Sequence, residues 1–412
     1  MRLTRIVLMM ACATAASLAH AGDLKKTGPL APSTGLIMAR GTVEEPSLEF
    51  VYAIGGGAPP PAAVTFDLAK DFSVADTGGV LTIYDYALKR VFVLDDKAHS
   101  FHNISLYALV ASLQDVSAVD ATFTPSKQAL DADQGARLVK LLRAFTPLSP
   151  EAVERIRASG YLPQTLSFGS GTATQTWTLQ SASMVKAVHP IASSRRTPKV
   201  DMSDVQKAFG DAAGAVIAAG GAGGQGKRPQ KDLRAAIERA LATRHAFQAL
   251  LLSYEMADQY GSASGACAKT KPCHSFKAIE ALAARDPRGA ALRLAMHPGK
   301  AQLDAAIATL KAMKRDDLSD AYMLDAFLAR DLAQAGRAAE ALPLFAAALK
   351  GNPRMPAFYA ELGGFWMANG EPTLAWDAYD LGRTIDPAAA SPATSAINAY
   401  EAGLEKKHPE MF

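Results

Sequence analysis

Pro353 and Pro387 stand 34 residues apart in this chain, and so do Gly336 and Gly370. In that register Leu328 falls on Leu362, Ala329 on Gly363, Leu332 on Trp366, Ala341 on Ala375, Phe345 on Tyr379 and Ala348 on Gly382. Nothing else in the sequence narrows the fold as much. A unit repeated at fixed length cannot bury its apolar face alone and must stack on its copies. Each matched position has a mechanical role. Ala329 and Gly363 let two helices approach closely, and Gly336 and Gly370 allow the turn between them. Phe345 and Tyr379 fill the space beside the neighbouring unit, and the prolines stop the second helix because a proline cannot continue the hydrogen-bond ladder. The two units run from Tyr322 to Met355 and from Pro356 to about Ala389.

This pattern resembles the tetratricopeptide repeat, whose fold is an all-α solenoid of paired helices that binds other proteins. Upstream the match fades. Phe276 to Pro287 reads as the second helix of another repeat, Gly289 to Met313 as a degenerate repeat, and Leu233 to Gly261 as the leading helices. Ser391 to Glu405 reads as the capping helix that such arrays need. Two departures stand out: Asp325 occupies a position usually given to a large apolar residue, whose counterpart is Tyr359, and Pro343 falls inside a second helix. In the family the first helices line a concave face. Here that face carries mostly small or apolar residues, and Met323, Arg330, Ala333, Gln334, Ala360, Gly364 and Met367 are the candidate partner-binding residues. No basic clamp for carboxylate tails is visible. The face suits an apolar peptide helix, or it is covered by the N-terminal half.

That half has a different period. Leu48 to Gly55, Gly79 to Tyr107, Leu162 to Gly169 and Ala173 to Val188 alternate in hydropathy and are rich in β-branched and aromatic residues, which predicts antiparallel strands. Asp131 to Gly160 has helical spacing, with Ser149 as N-cap and Pro150 as first residue of its second helix. The expected class is α+β: a curved antiparallel sheet with helices, followed by the helical solenoid. The stretch YDYALKRVFVLDDKAHSF, from Tyr84 to Phe101, resembles the meander of periplasmic lipoprotein-carrier half-barrels. That resemblance implies an open sheet over helices with an apolar groove for an acyl chain. Its alternative is a small filled core.

The expected layout is a signal peptide at 1–21, the strand-rich domain at 22–195, a Gly/Ala/Pro-rich linker at 196–231 and the helical domain at 232–412. Arg2 and Arg5, the apolar run Ile6 to Leu18 and Ala19-His20-Ala21 have the form of a cleaved secretory signal, placing the protein in the periplasm or outside the cell. Cys12 could instead carry a lipid anchor, but Met9 and Met10 fit a lipoprotein box poorly. No later stretch reaches the ~18 apolar residues of a membrane span. The net charge of +3, without long basic runs, gives no reason to expect nucleic acid as a partner.

Apparent catalytic motifs fail on context. GGAGGQGKRP, from Gly220 to Pro229, has the spacing of a phosphate-cradling loop, but Arg228 replaces the hydroxyl residue and Pro229 follows at once, so it reads as a linker. Ser183-x-x-Lys186 lies in a strand pattern, and Lys26-Thr27-Gly28 comes in the wrong order for the serine enzymes that use such motifs. His99 and His102 fall on opposite faces of a strand. The expectation is therefore a non-enzymatic, exported interaction or scaffold protein without cofactor or metal, binding an unidentified envelope or secreted protein. A lipid or lipoprotein carrier is the alternative.

Cys267 and Cys273 are the pair left after the signal, and in an oxidising compartment they are expected to form one local disulfide. Reductant should then lower stability by at most ~2–3 kcal/mol. A melting temperature unchanged by reductant would show that the bond is not structural.

Overall fold

A computed structural model describes residues 44–56, 63–95, 100–113, 118–146, 148–169, 174–190, 227–261, 274–296, 298–386 and 392–412. Two compact units emerge, residues 1–200 together with 400–412, and residues 201–399.

The first unit holds a nine-stranded antiparallel sheet in the order β6-β5-β4-β3-β2-β1-β9-β8-β7. Its strands are β1 (Glu45–Gly55), β2 (Ala63–Leu68), β3 (Phe72–Asp76), β4 (Val80–Asp85), β5 (Arg90–Asp95), β6 (Ser100–Ser105), β7 (Ala121–Ala129), β8 (Tyr161–Phe168) and β9 (Gln175–Ala187). The first six form a meander. The chain then makes helices α1 (Leu106–Leu113), α2 (Ala132–Phe145) and α3 (Pro150–Ser159) around β7, and returns through β8 to pair β9 with β1. Alternation on β1 turns Leu48, Phe50 and Tyr52 to one face, where all three are fully buried. In register with them, Phe66 stacks on Phe50 at 5.2 Å and on Trp177 at 5.8 Å. Leu138, Leu141 and Leu142 of α2 and Val153 and Ile156 of α3 complete this core.

The predicted start of α3 is present, and α2 adds a capping box that was not expected from sequence. Asp131 and Gln134 form a reciprocal capping box at α2, and the Ser149 hydroxyl accepts from the Ala152 N–H with Pro150 as first residue of α3. Three strands and a helix lie beyond the sequence reading. β2 and β3 are short and punctuated by aspartates, although Val64, Phe66 and Leu68 alternate inward. Pro125 disguises β7, which takes the sheet edge, where a missing N–H is tolerated. Leu106 and Tyr107, read as strand, begin α1 instead, because Leu106, Leu109 and Val110 bury one helical stripe.

The β3–β5 region is covered on its other face as well. Phe72, Val74, Ile83, Phe92 and Leu94 form a second cluster there. His189 closes it, edge-on to Phe72 at 4.9 Å, with Nε2 3.5 Å from the buried carboxylate of Asp85.

The second unit contains α4 (Gln230–Ala242), α5 (Ala246–Tyr260), α6 (Phe276–Ala283), α7 (Pro287–Ala295), α8 (Leu303–Ala312), α9 (Tyr322–Gln334), α10 (Ala338–Gly351), α11 (Pro356–Ala368) and α12 (Pro372–Ile385). Both ends of α9 recur 34 residues later in α11, and both ends of α10 in α12. Gly336 and Gly370 take φ of +73° and +75° between the paired helices, a conformation that favours glycine. Phe345 packs 5.1 Å from Phe358 and 5.2 Å from Phe365 in the following hairpin, as its place in the repeat requires. Pro343 lies within α10 without ending it. Asp325 pairs with Arg315 rather than entering the core, whereas Tyr359 is fully buried.

The last helix, α13 (Pro392–Lys407), matches the expected cap in position, but residues from Tyr400 onward belong to the sheet unit rather than to the helical domain assigned from sequence.

Neighbouring glycines give a test of opposite signs. A Cβ on Gly363 would sit 2.0 Å from the Tyr379 ring, and one on Gly364 would meet nothing within 4 Å. Gly363→Ala should destabilise by about 1–3 kcal/mol through overpacking, whereas Gly364→Ala should stabilise by about 0.5–1 kcal/mol through helix propensity. Equal effects in denaturant melts would contradict the close approach.

Candidate functional site

Helical spacing places Met323, Phe327, Arg330 and Gln334 on one stripe of α9, and the 34-residue offset carries it to Ala357, Glu361, Gly364 and Ala368 of α11. Much of the stripe is already occupied. Helix α5, apolar along most of its length, packs against α7, α9 and α11. Its Tyr254 sits edge-on to Phe276 at 5.1 Å and to Phe327 at 5.2 Å, and Met323 and Phe327 are buried. The occupant of this face is thus a helix of the chain itself.

Past α5 the stripe opens. Gln334, Glu361, Gly364 and Ala368 are exposed, and Arg330, Ala333, Ala360 and Met367 are half-buried. Of the seven sequence candidates only Met323 is withdrawn into the core. Arg330 is partly committed: it donates to the Met296 carbonyl at 3.1 Å and to Asp331 at 3.3 Å. Desolvation raises the Glu361 carboxyl above its ordinary value, an effect that the nearby Arg330 charge opposes. Cys267 and Cys273 lie outside the described residues, as do His99, Lys26-Thr27-Gly28 and residues 220–226.

A polar network pins α5 in place. Glu255, buried, accepts from the Tyr322 hydroxyl at 2.6 Å, from Asn352 Nδ2 at 3.0 Å and from Gln259 Nε2 at 3.0 Å, with Arg228 3.6 Å away. Burial pushes its carboxyl up, against the pull of Tyr322 and Arg228. One turn on, Asp258 faces the N-terminus of α11, a helix with no side-chain cap of its own. Burial raises Asp258 well above the ordinary value, a shift opposed by the backbone N–H groups of Phe358 and Ala357. Its Oδ2 is enclosed without a hydrogen-bond partner. Two carboxylates three residues apart in an apolar helix are the signal by which sequence reading could have found this network.

Lys227, the lysine of the apparent phosphate loop, joins the same region. Its ammonium lies 2.9 Å from the buried Asp386 and 4.7 Å from the Tyr260 ring centroid. The next residue is fastened too: Arg228 N–H donates to Gln259 at 2.8 Å, and its carbonyl accepts from the Tyr260 hydroxyl at 2.5 Å. Lys227 is therefore a structural tether, although the sequence assigned it to the linker at 196–231.

The other sequence candidates do not assemble. Ser183 is exposed on β9 opposite Glu49, and Lys186 pairs with Glu44 at 3.3 Å. His102 sits in β6 opposite Val93. An open groove of 720 Å³ adjoins α7 and α8, but the guanidinium on its wall, Arg288, is held by both oxygens of Asp317 and by Asp286. Among the described residues no helix is long and apolar enough to cross a membrane, and no cluster of three metal-ligating side chains occurs. No family model, curated protein or solved structure matches the chain.

The raised carboxyl of Asp258 makes stability depend on pH. The native state keeps the proton to a higher pH than the unfolded chain does, so stability falls as pH rises from the ordinary aspartate range toward the native value. Asp258→Asn removes that term and should raise stability near neutrality by on the order of 1 kcal/mol. Thermal melts from about pH 5 to about pH 8 should show a flatter profile for the variant; a parallel profile would refute the assignment.

Proposed function

We propose that this protein is an exported scaffold of tetratricopeptide type that binds a segment of another protein along the open stretch of α9 and α11. The carrying observation is the recurrence of both helices of a pair at a 34-residue offset, with the stripe only half covered by α5. Gln334, Gly364, Ala368 and Met367 offer small or flexible surface there, flanked by Arg330 and Glu361. A helix laid against this stretch would continue the packing that α5 begins, which is the helix-in-groove mode of recognition. The signal sequence and the cysteine pair favour an extracytoplasmic setting and an envelope or secreted partner.

The carrier alternative draws less support. Phe50, Tyr52, Phe66 and Trp177 fill the inner face of the sheet with one another and with α2 and α3, where an acyl chain would have to lie.

A photo-crosslinking residue at Gln334 or Gly364 in the full chain, expressed in its native envelope, should trap a discrete protein adduct that a probe at the exposed Glu151 of α3 does not. Arg330→Glu with Met367→Glu should suppress it by about tenfold, a loss of ~1.4 kcal/mol. The same adducts at Glu151, or adducts indifferent to the substitutions, would overturn the proposal.

A further inference from the structure

The sheet unit carries a basic and aromatic surface of its own, built without the helical repeats. Tyr86 and Lys89 come from the β4–β5 turn, Tyr107 from α1, and Lys140 and Arg143 from α2. Residues 404–412 are seated on it. Glu405 accepts from the Lys89 ammonium and from the Tyr107 hydroxyl, the latter at 2.5 Å. Phe412 lies 4.9 Å from the Tyr107 ring, with the Lys89 ammonium 6.0 Å from the Phe412 centroid. Lys140 donates to the Phe412 carbonyl while lying 5.0 Å from the Tyr86 centroid, and Arg143 pairs with Glu410. Leu404 and Met411 are buried as apolar anchors.

The turn that presents Lys89 has an unusual backbone conformation. Lys89 takes φ +53°, a left-handed conformation that a non-glycine residue rarely adopts, and its carbonyl accepts from the Leu106 N–H at 2.9 Å. Such strain is held where the surroundings over-determine it, and here it accompanies the aim of the ammonium at Glu405. The contacts are complementary in charge, yet the Lys89–Glu405 pair is 37% exposed on both sides. Exposed pairs contribute only ~0–1 kcal/mol and weaken with salt. The hold on the segment therefore rests more on Leu404, Met411 and Phe412, the last packed against the sheet core, than on this ion pair.

We propose that Tyr86, Lys89, Tyr107, Lys140 and Arg143 form a recognition site for protein segments that present two spaced carboxylates and a following aromatic residue, that residues 404–412 are its resident occupant, and that a partner segment of the same chemistry takes the site by displacing them. The acidic residues supply the ion pairs, the aromatic ring stacks on Tyr107, and self-occupancy lowers the apparent affinity for any competitor. This inference does not depend on the binding face of the repeats.

The test uses a fluorescent, C-terminally amidated peptide of residues 402–412 with the full-length chain. It should bind the variant Glu405→Lys/Glu410→Lys at least about tenfold more tightly than the unaltered protein, because the resident competitor is weakened. Adding Lys140→Glu and Arg143→Glu should abolish that binding, and salt should weaken it. Equal binding to both proteins, or none to a variant with unchanged circular dichroism, would overturn the site. Hydrogen exchange of the unaltered protein covers the case of a variant that fails to fold. Amides of 404–412 should exchange without release of those in β1 and β9, and exchange only together with the sheet would overturn displacement.

Discussion

In the helical unit α5 packs between its chain neighbours α4 and α6 and also touches α7, α9 and α11, so its burial constrains five other helices. An apolar helix carrying two carboxylates can be buried only if those carboxylates meet donors. Glu255 finds Tyr322, Asn352 and Gln259, and Asp258 meets the amides that open α11. Apart from Gln259, which belongs to α5 itself, these donors come from the ends of α9, α10 and α11, so the network ties those helix ends to α5. It also ties down the residues that follow the glycine-rich stretch, through Arg228 and through the pairing of Lys227 with Asp386.

Tyr254 of α5 packs on Phe327, whereas Gln334 and Gly364 farther along the stripe are exposed, so the packing that stabilises the unit bears on which part of the repeat face stays accessible. Stability and the proposed binding function thus both draw on the placement of α5. The sheet unit shows a comparable arrangement: its own α2 and α1, with the turn at Lys89, hold a segment drawn from the far end of the chain.

Local pattern made much of this legible. The capping residue Ser149, the turn glycines Gly336 and Gly370, and the close approach at Gly363 all act over a few residues or one hairpin, so spacing alone exposes them. The period-two runs of β1, β8 and β9 were readable for the same reason. Short strands such as β2 and β3 were not, because five or six residues between aspartates look like turns until a neighbouring strand supplies their hydrogen bonds. Nor was α1, whose apolar run carries no period that separates helix from strand.

Side-chain period and backbone sterics are enough to set the division into a strand-rich and a helix-rich part and the 34-residue hairpin with its turns and small-residue contacts. Long-range packing, not local pattern, sets the return of β9 beside β1, the contacts of α5 with α9 and α11, the meeting of Lys227 with Asp386, and the docking of Glu405, Glu410 and Phe412 on the sheet unit. Those contacts join residues far apart in the chain. Their energy comes from burial and charge pairing between surfaces that exist only once each element has formed.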